Sequence, residues 1–211
     1  MSEIGYIITS DACVARGAQW LADEDEAMAR AYALTGPLPL RLKPDGFAEL
    51  LSAIVSQQVS VASARAIWGR MVAAGMDDPA NILRASDEAL RAIGLSRQKV
   101  KYARALAEAG IDFAALRRAP EPQIIKTLTA VSGIGVWTAE IYTMFSLGRA
   151  DIFPAGDLAL QEAARDLYAL PERPKERALR EMAQRWSPWR SVAARMLFAY
   201  YHVAKQREGI R

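Results

Sequence analysis

Apolar side chains recur along this chain at the three- and four-residue spacing of a helix that buries one face. The clearest positions are Phe47, Leu50, Leu51, Ile54 and Val55, followed by Ile67, Trp68 and Met71. The strongest strand-like segment, Gly5–Thr9, is short and lies near the N-terminus. The pattern therefore predicts an all-α fold of about ten helices.

Residues typical of helix ends divide these segments at regular intervals. Side chains that suit N-caps are Ser60, Ser86, Ser96 and Asp112, and prolines that suit a first helical turn are Pro79 and Pro122. Glycines that suit C-terminal caps are Gly94, Gly110 and Gly148. These signals fix where most helices should begin and end.

The spacing of the helices predicts two helical lobes flanking a cleft. Residues 1–46 form an N-terminal helical arm that ends at the Gly-Pro-Leu-Pro turn of 36–39. Residues 47–150 form a compact lobe, and residues 151–211 return to complete a second lobe with the arm.

Composition excludes several classes of protein. The single Cys and single His cannot supply a disulfide framework, an iron–sulfur cluster or a Cys/His zinc site. No apolar run reaches the length of a membrane span, and the N-terminus does not resemble a signal peptide. We therefore expect no membrane association and a cytoplasmic location.

Charge is unevenly distributed along the chain. Residues 1–50 carry a net charge of −4 and the remainder carries +7, from a total of +3. A basic body attracts polyanions such as nucleic acid. An ordinary solvated surface can show a similar skew, so this feature alone does not separate the two readings.

A glycine-rich turn joins two predicted helices within residues 122–147. It contains Gly133-Ile134-Gly135, after a helix over about 122–129 and before another that begins near Val136. Two glycines separated by a single residue permit positive φ and close approach of an external backbone. The amides of the next helical turn lack partners within the helix and suit a phosphate. The alternative is a tight connection with glycine caps.

A carboxylate stands directly before a later helix. Asp157 follows a loop shaped by Pro154 and Gly156 and precedes the apolar-periodic segment from Leu158. As an N-cap it would contribute roughly 0.5–2 kcal/mol to stability. If it faces the cleft, it can also stabilise positive charge that develops on a sugar when a glycosidic bond breaks.

The string Gly-Ile-Gly-Val-Trp-Thr-Ala at 133–139 resembles the signature of the helix-hairpin-helix DNA glycosylase superfamily. Asp157 follows Gly135 by 22 positions, which matches the spacing to the superfamily's catalytic aspartate. Matches span about 47–200, and the chain is most similar to the compact bacterial 3-methyladenine DNA glycosylase II (AlkA-like) branch.

The resemblance implies roles for particular residues. Bifunctional members carry a Schiff-base lysine where this chain has Trp137, so no lyase activity is expected by that route. Gln57 and Gln58 resemble the family's glutamine-containing turn between two helices, in which Gln58 corresponds to the side chain that plugs the gap left by the flipped base; a solvated turn is the alternative. Trp137 and Phe198 match aromatic positions that stack on the base, with core packing as the alternative. Some relatives carry aromatic residues in the base pocket at two positions where this chain has Ile141 and Leu158.

The hairpin is implied to bind the DNA backbone. Its implied DNA contacts are Gly133, Ile134, Gly135 and Thr138, and its carbonyls at Thr129, Val131 and Ile134 can hold Na⁺ or K⁺ in the family. A second capped turn at 94–99 carries Arg97 and Lys99, which suit a backbone contact or an ordinary loop equally well.

The function implied is that of a monofunctional glycosylase. It would bind damaged double-stranded DNA as a monomer, without a required cofactor and in association with the nucleoid. It would flip and hydrolyse off alkylated purines such as 3-methyladenine and 7-methylguanine. Two alternatives are a glycosylase for deaminated, mismatched or oxidised bases and a non-catalytic DNA-binding module. A helical interaction protein with no DNA role is a third.

Overall fold

Helices dominate the structure, a computed structural model that describes residues 5–208 and, in detail, the side chains of residues 5–205. Within that range we find thirteen α-helices and one 3₁₀ helix. No extended strand occurs among these residues; Ile7 and Arg149 form an isolated antiparallel bridge. The all-α prediction is therefore confirmed.

The helices follow one another closely along the chain. The first seven are α1 Asp11–Glu24, α2 Glu26–Thr35, α3 Phe47–Ser56, α4 Val61–Ala73, α5 Pro79–Arg84, α6 Asp87–Ile93 and α7 Arg97–Glu108. The remaining ones are α8 Phe113–Arg118, α9 Glu121–Thr129, α10 Val136–Phe145, α11 Leu158–Leu167, α12 Glu176–Met182, the 3₁₀ helix Ala183–Trp186 and α13 Arg190–Glu208. Short helices such as α5 and α8 explain the excess over ten, because six residues are too few to show a periodic apolar face.

The capping residues act largely as predicted. Ser60, Ser86, Ser96 and Asp112 each accept a backbone N–H in the first turn of the helix that they precede. Gly94 is the C-cap of α6. The exception is Gly148, which lies three residues beyond the end of α10 and is not a cap. Its positive φ instead lets its carbonyl accept a hydrogen bond from Ile8 N at 2.7 Å.

The chain divides into two compact units, made of the described residues of Met1–Leu42 with Thr143–Arg211, and of Lys43–Tyr142. The sequence placed these limits at 46 and 150. In the first unit, α1, α2 and α11 all pack on α13. The long C-terminal helix is therefore the centre of that unit, and the turn that carries Asp157 leads into one of its neighbours.

The second unit is organised around α7. Helices α3, α5 and α6 all pack against it. The face of α3 predicted from the sequence is buried here, since Leu50, Leu51, Ile54 and Val55 are inaccessible to solvent. On α4 only Met71 is buried. Ile67 and Trp68, which the pattern placed on the same face, are half-exposed.

A polar cluster fixes α10 relative to the start of α3. The Tyr142 hydroxyl donates to Asp45, and Arg117 of α8 binds the other oxygen of the same carboxylate. Gly46 N in turn donates to the Tyr142 hydroxyl at 2.9 Å. Burial and the bond to Asp45 raise the pKa of Tyr142 well above its usual range, so the phenol stays protonated. Helix α10, which follows the glycine-rich turn in the chain, is thereby held in place.

Candidate functional site

The turn between α9 and α10 is a tight hairpin in which the two glycines have different roles. Gly133 has φ +95°. A side chain there would put its Cβ 2.7 Å from Tyr102 Cβ and Cδ1, so Tyr102 of α7 occupies the space that any larger residue needs. Ile134 N then donates to Val131 O at 3.1 Å and closes the turn. Gly133 is required by the protein's own packing.

Gly135 is different, because no neighbouring atom lies within 4 Å of where its Cβ would be. Of the two glycines, which both permit positive φ, only Gly133 adopts it. The carbonyl of Gly135 accepts the Ala139 amide at 3.0 Å and so begins α10. Gly135 faces open space, which is the feature that lets an external backbone approach closely.

The first turn of α10 presents apolar surface. Trp137 is 47% exposed and Val136 is 46% exposed, whereas Thr138 is only 7% exposed. The exposure of Trp137 does not fit core packing. Because the Thr138 side chain is buried, a DNA contact at that position would come from its backbone amide.

The predicted glutamine turn lies beside the hairpin in the same unit. Gln57 Nε2 donates to Gly133 O at 3.0 Å, so this side chain is used inside the protein. Gln58 is exposed and has φ +56°, an unusual backbone state for a residue with a side chain. The structure therefore joins the two turns that the sequence singled out and leaves Gln58 at the surface.

Lys99 has a role that the sequence did not reveal. It is 9% exposed, and its Nζ donates to Val55 O at 2.6 Å. Burial lowers the pKa of this ammonium. The suggestion that Lys99 contacts a DNA backbone is wrong, since the side chain points inward; Arg97 remains exposed. No local sequence signal marks this lysine as buried, because its acceptor lies 44 positions away.

Asp157 is the N-cap of α11. Its Oδ1 accepts the Ala159 amide at 2.9 Å and the Leu160 amide at 3.3 Å, and its own amide donates to Pro154 O at 2.9 Å. The carboxylate is half-buried, and the following residue, Leu158, is 62% exposed. The capping role is therefore observed, and the chemical role stays a prediction.

A second side chain holds the loop before Asp157. Gln161, one turn into α11, is buried and donates its Nε2 to Ala155 O at 2.9 Å. The bond from Gln161 holds the loop before Asp157, and the two cap bonds hold the carboxylate itself at the start of α11. Sequence reasoning missed Gln161, although a glutamine four positions after a helix-capping aspartate lies on the same face.

The remaining predicted residues lie on separate elements. Phe198 is half-buried on α13, in the same unit as Asp157, while Ile141 is half-buried on α10. The carbonyls proposed for a monovalent cation are at the end of α9 and in the hairpin. That of Val131 accepts one hydrogen bond and keeps a second lone pair, so it can still ligate.

Two absences concern only the part of the chain that the structure describes. No three His, Cys, Asp or Glu side chains come together there in a way that could hold a metal ion. Over the same residues, no helix combines the length and the apolarity needed to cross a membrane.

The hairpin between α9 and α10 and the aspartate at the start of α11 both lie within a segment that matches a known family. Residues 51–188 match the model of the "HhH-GPD superfamily base excision DNA repair protein" family. The chain belongs to this family.

Individual relatives resemble the chain over nearly its whole length. DNA-3-methyladenine glycosylase 1 of Schizosaccharomyces pombe is 30% identical over 203 residues, covering 90% of this chain and 89% of the relative. The crystal structure of a DNA-3-methyladenine glycosidase from Bacillus halodurans has a TM-score of 0.83 at 34% identity, covering 95% of this chain and 94% of that one. The S. pombe 3-methyladenine DNA glycosylase in complex with abasic DNA gives 0.74 at 31% identity, covering 87% and 95%.

Proposed function

We propose that this protein is a DNA glycosylase of base excision repair that removes alkylated purines from double-stranded DNA. The observation that carries the proposal is Asp157, a half-buried carboxylate fixed at the start of α11, in a chain that belongs to the base excision repair family. Relatives named as 3-methyladenine glycosylases support alkylated bases as the substrate class.

The chemistry explains the need for a carboxylate. Breaking the bond between C1′ and the base builds positive charge on C1′ and the ring oxygen. A fixed anion stabilises that charge and can orient or deprotonate the attacking water. An alkylated purine such as 3-methyladenine or 7-methylguanine already carries positive charge, so it leaves without a strong general acid. Asp157 supplies the anion in this proposal.

The DNA-binding part of the proposal rests on the hairpin and the neighbouring glutamine turn. Gly135 is open to solvent, and the first-turn amides of α10 follow it, an arrangement that suits a phosphate. Gln58 is exposed on a turn tied to the hairpin through Gln57, and it fills the gap left in the duplex by the extruded nucleotide. Na⁺ or K⁺ at the hairpin carbonyls would add positive charge beside the phosphate.

Trp137 supports both the substrate class and the absence of lyase activity. Its half-exposed indole offers a π-face, on which stacking contributes roughly 1–3 kcal/mol per base, and a cationic base adds a cation–π attraction. A tryptophan cannot form the Schiff base that a lysine at this position would form. The protein therefore hydrolyses the glycosidic bond and leaves the strand intact. It acts as a monomer on nucleoid DNA in the cytoplasm.

The test of the catalytic assignment is Asp157→Asn. Asparagine caps a helix about as well as aspartate, so the fold should be retained. We expect release of methylated bases from alkylated DNA to fall about 100-fold or more, since one electrostatic group at the reacting centre is lost. The matched control is Asp112→Asn, which neutralises another N-cap aspartate, on α8, and should leave release unchanged. A folded Asp157→Asn protein with undiminished activity would refute the assignment.

Two alternatives are separated by substrate. A panel of duplexes, each with one alkylated, deaminated, mismatched or oxidised base, distinguishes the proposed specificity from that of other glycosylases. A non-catalytic DNA-binding module would release no base from any of them while still binding DNA at low salt.

A further inference from the structure

Helix α7 contacts both of the turns that we assign to DNA binding. Lys99 and Tyr102 are three positions apart on this helix and therefore share a face. Lys99 donates to Val55 O, two positions before Gln57, and Tyr102 fills the space beside Gly133 in the hairpin. The two turns are also joined directly, through Gln57 Nε2 and Gly133 O.

The bond from Lys99 meets a specific need of α3. Val55 is the penultimate residue of that helix. The last four carbonyls of a helix receive no hydrogen bond from an N–H of the same helix, so each needs a donor from elsewhere. A positive charge at this end also complements the helix dipole. Lys99 is buried, and its backbone is held in the first turn of α7 because Ser96 Oγ accepts the Lys99 amide at 3.2 Å. The end of α3 is thus held to the start of α7.

The backbone is strained three residues after Val55, the residue that Lys99 binds. Gln58 has φ +56°, an unfavourable conformation for a residue with a side chain, which persists only where the surroundings impose it. Two hydrogen bonds hold the chain just before Gln58, one from Lys99 to Val55 O and one from Gln57 to Gly133 O. The side chain of Gln58 takes part in neither of these hydrogen bonds and is exposed.

We propose that Lys99 is a positioning residue, which holds the turn at Gln57 and Gln58 in the conformation that lets Gln58 enter the duplex. It does so without touching DNA. This proposal rests on the function proposed above, in which Gln58 fills the gap left by the everted base. It adds that α7 sets the placement of the glutamine turn relative to the hairpin.

The first measurement concerns the protein without DNA. In Lys99→Met the side-chain volume is kept and the bond to Val55 O is lost. We expect hydrogen exchange of the amides in residues 56–60 to rise roughly tenfold or more, since the lost bond involves a buried charge. The matched control is Lys101→Met, which removes the same charge from an exposed position on α7 and should leave exchange there unchanged.

The second measurement is the single-turnover release of 7-methylguanine from a duplex with one lesion. We expect Lys99→Met to slow release on the order of 10- to 100-fold, as expected for a misplaced group, and Lys101→Met to leave it unchanged. In a Gln58→Ala background, Lys99→Met should add less than about twofold, because residues that act as one unit are not additive. Gln57→Ala, which breaks the other tie, should behave like Lys99→Met and replaces it if that variant does not fold.

The outcomes separate this proposal from the proposed function. Wild-type exchange at residues 56–60 in Lys99→Met, or full multiplication of its effect with that of Gln58→Ala, overturns the positioning role. A wild-type protein that releases no alkylated base overturns the proposed function instead, and the exchange measurement then shows by itself whether Lys99 holds the turn.

Discussion

Replacing Gly133 with alanine should destabilise the unit formed by Lys43–Tyr142. The new methyl group would lie 2.7 Å from two carbons of Tyr102, closer than non-bonded carbons approach. The backbone would also have to keep φ +95°, which side chains other than hydrogen rarely allow.

The cost can be worked out from these two observations. Forcing an extra methyl group into a packed site costs roughly 1–3 kcal/mol. Holding a non-glycine residue in such a backbone state costs roughly 1–3 kcal/mol as well. The sum, about 2–6 kcal/mol, is a large part of the roughly 5–15 kcal/mol by which a domain is stable. We expect a clear fall in the urea midpoint of unfolding.

Two further variants separate the causes. In a Tyr102→Gly background, which removes the Cβ as well as the ring, the steric part disappears, and the cost of Gly133→Ala relative to that background should fall to the backbone part, about 1–3 kcal/mol. Gly135→Ala is the matched control in the same turn, and its stability should stay within about 0.5 kcal/mol of the wild type, because open space surrounds the position. Its DNA affinity should fall if a phosphate approaches there. Equal stability losses for the two glycine variants would refute the reasoning.

Two further expectations concern acid stability and covalent trapping. Burial tends to raise the pKa of Asp25, but hydrogen bonds from Tyr168 and Trp186 outweigh it, and the net pKa is lowered. The stabilisation from this carboxylate is therefore complete above its unfolded pKa of about 3.9 and is lost as pH falls below that value. The difference in the free energy of unfolding between wild type and Asp25→Asn, measured in urea, should shrink from pH 7 to pH 3. The second expectation follows from Trp137, which stands in place of a lysine. Borohydride should trap no covalent adduct with damaged or abasic DNA, and efficient capture would contradict the monofunctional assignment.

The helices and their ends could be predicted because their causes are local. Ser96 and Asp112 cap helices wherever the next residues favour a helix, and the periodic face of α3 buries as predicted. The number of helices was underestimated since helices of six residues show no period. Gly148 was misassigned because its positive φ serves a contact with Ile8, some 140 positions distant in the chain, which no local pattern shows.

The sequence by itself determined the helical class, the glycine hairpin and the aspartate before α11, because each depends on residues close together along the chain. The family resemblance added the roles of Asp157 and Trp137, which remain to be tested by experiment. Only the tertiary structure decided that Lys99 is buried against Val55 and that Tyr102 makes Gly133 indispensable while Gly135 stays open. Those facts depend on which helices meet in space, and long-range packing, unlike capping, leaves no signature at the positions concerned.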